Sequence, residues 1–130
     1  MDQSGNPAVP YQGGWDSISL ALLKYRRGNY EKATNWCLHC LAYPLSLPHR
    51  NATAQVILAM SYWQTNEKSK ALLAWGTGLQ IIKDRFQRGL VQGNNASGFW
   101  FDWIIARILL RECQVRFVEA GHPLAPSDRL

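Results

Sequence analysis

The sequence predicts an all-α domain built as two antiparallel helical hairpins followed by a closing helix. Three observations lead there. Apolar residues recur at helical spacing in five segments, turn-forming residues punctuate those segments, and one helix pair repeats the other at a fixed offset.

Residues 1–14, MDQSGNPAVPYQGG, are rich in Gly, Pro and polar side chains and read as a flexible tail, with the helical domain over 15–121. Asp16 is a suitable N-cap for a first helix through SISLALLKYRR. Gly28 closes that helix, because glycine takes the left-handed conformation without a Cβ penalty. Asn29 caps a second helix in which Ala33, Trp36, Cys37, Cys40 and Leu41 fall at offsets 0, 3, 4, 7 and 8, one face of an α-helix. Pro44 and Pro48 then break the chain.

A third helix is expected from about Asn51 to Thr65 and a fourth from about Glu67 to Phe86, with Ala71, Trp75, Gly78, Leu79 and Ile82 on one stripe. The Gly- and Asn-rich run GLVQGNNASG marks a loop over 87–97. A last helix over 98–120 ends near Gly121, before Pro123, and residues 122–130 form a C-terminal tail. In that helix Phe101, Ile104, Ile105 and Ile108 share one side, which is expected to dock, while Arg107 and Arg111 lie on a wet side.

Sliding the chain against itself by 38 residues brings Leu20 onto Leu58, Ala21 onto Ala59, Tyr25 onto Trp63, Gly28 onto Asn66, Ala33 onto Ala71 and Leu41 onto Leu79. Small residues meet small ones, rings meet rings, and the turn glycine meets its usual substitute. One hairpin, over 16–43, therefore recurs over 51–86.

The segments LALLKYRRGNYEKA and LAMSYWQTNEKSKA carry the repeat, which resembles the tetratricopeptide family, of period about 34 residues. The matching features are the Leu-small pair, the Gly28-Asn29-Tyr30 turn and the alanine at 33 and 71. Lys24 departs from the family's aromatic, Asn66 and Lys68 replace the turn Gly and Tyr, and the Pro44–Pro48 stretch lengthens the connection. The resemblance covers 16–86. It implies a right-handed α-α superhelix with the final helix as a cap. The last segment, FWFDWIIARILLRECQ, is similar to the closing helix of such regions in large bacterial proteins, some of which carry serine/threonine kinase domains. The kinase motifs themselves are missing from this chain.

With 47% hydrophobic residues and six tryptophans, 130 residues suffice for one domain with a core of large rings. The net charge of +5 comes from scattered Lys and Arg rather than a basic block, which argues for a solvated surface and against nucleic acid as the partner. The opening has neither a basic start nor an apolar run, no stretch is long enough to span a bilayer, and three cysteines cannot all pair; the expectation is a protein of the reducing cytoplasm. Two sequons, at Asn51 and Asn95, then carry no meaning.

Cys37-Leu-His-Cys40 invites a metal or dithiol reading, with His39 and His49 nearby. A zinc site needs four ligands and the only other cysteine is Cys113, so core packing of Cys37 and Cys40 is the expectation, with no metal and no cofactor. No Ser-His-Asp set, carboxylate pair or phosphate loop is present, Asp102 reads as a first-turn helix charge, and no catalytic residue is assigned. The chain is expected not to be an enzyme.

What the resemblance implies about function concerns the first helix of each hairpin, which lines the concave face in tetratricopeptide arrays. That face would present Ile18, Leu22, Tyr25 and Arg26, then Val56, Met60, Trp63 and Gln64, as a groove for a peptide or protein, with Arg107 and Arg111 as rim charges. The Lys and Asn that clamp a carboxylate in the family's chaperone-binding members are replaced by Ile18, Leu22 and Ile57. Tyr25 and Trp63 are either groove anchors or core residues covered by the last helix. The function expected is protein–protein binding as a scaffold or regulatory module. The alternatives are a self-association unit, with a homodimer closing on the aromatic groove, and a basic helical surface for nucleic acid.

Overall fold

The computed structural model describes residues 10–42, 47–88 and 100–121, and the side chains of 16–42, 47–87 and 103–121. Five α-helices and no strand occur among them: α1 Pro10–Arg26, α2 Tyr30–Leu41, α3 Pro48–Gln64, α4 Lys68–Arg88 and α5 Trp100–Glu119. The expected tails before residue 10 and after Gly121, Pro44, the loop beyond residue 88, and the side chains of Phe101 and Asp102 lie outside the described residues.

α1 starts six residues before the expected cap at Asp16, with Pro10 in its first position, where a missing N–H costs nothing. Gly13 and Gly14 lie inside it; each is about 1 kcal/mol worse than Ala there but neither ends the helix. Ending it takes a positive φ with closing hydrogen bonds, and these are found at Gly28, where φ is 80°.

The two turns match bond for bond. At the first, the Gly28 N–H donates to the Tyr25 carbonyl at 3.0 Å and the Asn29 N–H to that of Lys24 at 2.8 Å. At the second, Asn66 N–H donates to Trp63 at 3.2 Å and Glu67 N–H to Tyr62 at 2.9 Å. Both are Schellman closures, and the 38-residue offset carries one onto the other. Asn66, at φ 65°, is the one non-glycine residue with positive φ among those described. The Asn29 side chain accepts from the Lys32 N–H at 3.4 Å and so starts α2.

α3 begins at Pro48, three residues ahead of the expected start. The residue before it, Leu47, is extended, as a residue before proline must be, so Pro48 opens a helix as well as breaking one. Apolar and small residues run around α3 on all sides, and it packs against all four other helices. Its buried hydroxyls are satisfied within the helix: Thr53 donates to the His49 carbonyl at 3.0 Å and Ser61 to that of Ile57 at 2.9 Å. α4 crosses it closely at Gly78, where a Cβ would stand 3.1 Å from Val56 Cγ2.

α1 pairs with α2 and α3 with α4; α3 touches both members of the first pair, and α5 touches both members of the second. The core is continuous across them, with Ala21, Ala33, Ala59 and Ala71 completely buried at the crossings.

α5 docks through a different face from the one expected. Trp103, Ala106, Leu110, Cys113 and Phe117 are buried, whereas Ile105 and Ile108 are 51% and 58% exposed. Arg107 is half-buried with its guanidinium 4.9 Å from the Phe86 ring, and only Arg111 is freely wet. Both faces of α5 carry apolar stripes at helical spacing, and the one that holds Trp103 and Phe117 is the one packed into the domain.

Candidate functional site

The face formed by α1 and α3 brings together the eight residues expected to line a groove, but little of it is surface. Ile18, Tyr25, Val56 and Met60 are at most 6% exposed and belong to the core. Leu22 and Trp63 are half-buried against that core, and Arg26 and Gln64 are exposed. α5 is the reason. Its Phe117 ring lies 4.5 Å from that of Trp63 and 5.7 Å from that of Trp75 on α4. Lys68 caps Trp63 on the outside, 4.9 Å from the ring centre. Of the two readings open for Tyr25 and Trp63, the packing favours core.

The edge of this face is closed by charge. The Arg26 guanidinium grips the Glu112 carboxylate with both terminal nitrogens, one bond being 2.8 Å long, and ties the end of α1 to α5. Arg116 stands 3.9 Å from the same carboxylate. The hydrogen bonds from Arg26 hold Glu112 below the usual carboxylate range and raise Arg26 itself. Burial raises the Tyr25 phenol, opposed in part by Arg116, whose charge reaches it from α5.

The cysteines are free and fully buried. Burial pushes the Cys40 thiol up to about 11, against the pull of Arg50, whose side chain hydrogen-bonds the sulfur. The Cys37 and Cys113 thiols are raised by the same cause. Thiols held protonated are poor nucleophiles and poor ligands. Among the described residues, no three His, Cys, Asp or Glu side chains are grouped to hold a metal ion. Ser17 Oγ lies 2.9 Å from His39 Nδ1; Ser17 is completely buried and His39 exposed, and the pair fastens α1 to α2.

What the sequence reading missed is the outside of α5. Ile105, Ile108, Val115 and Val118, all more than half exposed, run along it, and half-buried Ile104 borders them. Arg111 sits in their midst. Trp103, Leu110 and Phe117 recur every seven residues on the opposite face, but spacing and composition alone do not choose that face over the one with Ile105 and Ile108. No helix among the described residues is long and apolar enough to cross a membrane. Compared with protein-family models, with curated proteins and with solved structures, the chain matches none.

Proposed function

We propose that this chain is a non-enzymatic protein–protein interaction module of the tetratricopeptide kind, with α1–α2 and α3–α4 as hairpins in a right-handed superhelix and α5 as the cap. Support for the architecture comes from the matched turns at Gly28 and Asn66 and from α5 touching both α3 and α4, as α3 touches both α1 and α2. Three buried, free thiols fit a reducing cytoplasm.

The observation that carries the binding reading is the exposed apolar surface of α5. Four large aliphatic side chains more than half exposed on one helix make an apolar surface of the kind that marks interaction sites. In this reading the concave face around Tyr25 and Met60 seats the chain's own α5, and the partner meets the outside of that helix.

Photo-crosslinking from position 108, with position 31 as an exposed polar control, tests it in native cells. A discrete protein adduct from 108 and none from 31 is the expected result. Equal background from both positions would remove the reading.

A further inference from the structure

We infer that the outer face of α5 takes an amphipathic helix of another protein, one whose apolar seam carries a carboxylate at its middle; the inference rests on the interaction-module reading and names the partner's chemistry. Ile104, Ile108, Arg111, Val115 and Val118 follow one another at steps of four, three, four and three residues. That is the spacing of a coiled-coil seam, with β-branched side chains at 108 and 115. The seam points outward: Ile108, Val115 and Val118 are 58%, 53% and 52% exposed. The opposite side of α5, with Leu110, Cys113 and Phe117, is fully buried in the domain.

Charge selects the occupant. Arg111 lies in the centre of the seam and is exposed, so a helix laid there desolvates its guanidinium. A buried cation without a counter-charge is costly, and an opposing carboxylate recovers that cost as a charge-assisted hydrogen bond. A symmetric dimer centred on the seam does not supply that carboxylate. A two-fold axis through the middle of the seam sets Arg111 against Arg111, and the adjacent Glu112 is already held by Arg26 and Arg116. Two copies would also bring together two net charges of +5. An acidic partner helix has neither problem.

The test uses the full chain and two synthetic helical peptides of three heptads, with Ile and Leu in the seam. They differ only at the central seam position, Glu in one and Lys in the other. The Glu peptide is expected to bind at least about tenfold more tightly than the Lys peptide, since like charges face each other in the second case. Arg111→Glu should reverse that order. Ile108→Glu should lose about tenfold or more for the Glu peptide with unchanged circular dichroism. Leu73→Asp, at an exposed site on α4, should change nothing. Equal binding of the two peptides, no binding of either, or a concentration-dependent dimer dispersed by Ile108→Glu would each overturn the inference. If the peptides fail while the crosslink from 108 persists, the partner chemistry is wrong and the module reading survives. If both fail, both fall.

Discussion

Phe117 on α5 and Trp63 on α3 meet with ring centroids 4.5 Å apart at 47°, and Phe117 also stands edge-on to Trp75 of α4. One completely buried ring thus joins three helices and closes the face that α1 and α3 would otherwise open to solvent. Phe117→Ala should cost about 3–5 kcal/mol, a large share of the stability of a small domain. Thermal melting followed by circular dichroism would register it. A melting transition within a few degrees of the parent would mean that α5 is an appendage.

The thiols should be inert. With Cys40 pushed up to about 11 and Cys37 and Cys113 raised too, almost no thiolate exists at neutral pH. Cys37→Ala or Cys40→Ala should cost on the order of 1 kcal/mol through lost packing. A thiol-specific chromogenic reagent should titrate none of the three in the native protein and all three in denaturant. Fast labelling of the native state would contradict their burial.

Glu112 should make stability fall in acid. Its folded carboxyl is depressed by Arg26, so the pair stabilises at pH above the unfolded carboxylate range and the gain is lost as pH drops through the folded value. Arg26 is about half exposed, so the effect is screened and should stay below about 1 kcal/mol. Glu112→Gln should lower neutral stability by that same amount, leave acid stability unchanged, and so flatten that part of the acid dependence. An acid profile identical to the parent's would show that the pair contributes nothing.

Two glycines of α4 should respond in opposite directions. Gly76 has open space around it, so Gly76→Ala should stabilise by about 1 kcal/mol through helix propensity. Gly78 is buried, with Val56 Cγ2 at 3.1 Å and the Ala52 carbonyl oxygen at 3.4 Å from the position of a Cβ. Gly78→Val should therefore destabilise by about 1–3 kcal/mol by forcing α3 and α4 apart. Chemical denaturation midpoints of the two variants would decide, and a shift in the same direction would refute the close crossing.

The five helices and the turns between paired helices were legible in the sequence because their causes are local. A 3.6-residue apolar period needs no tertiary information, and Gly28 and Asn66 close helices through their own backbone preferences. The 38-residue offset came through for the same reason, since it relates residues under equal local constraints. Helix starts were less legible: Pro10 and Pro48 open helices that capping residues seemed to place later, because proline serves as a first residue as readily as it stops a preceding helix.

Which face of α5 turns inward was decided by the tertiary structure alone. Ile105 and Ile108 are as apolar as Leu110 and as regularly spaced, so period and composition leave the choice between faces open. It is settled by fit across long range: Phe117 fills the space between Trp63 and Trp75, Trp103 lies beside His49, and Arg26 reaches Glu112 across the fold. Those contacts exist only once α3 and α4 are in place, and they turn a groove expected around Tyr25 and Met60 into core. The same packing leaves Ile108 and Val115 facing water.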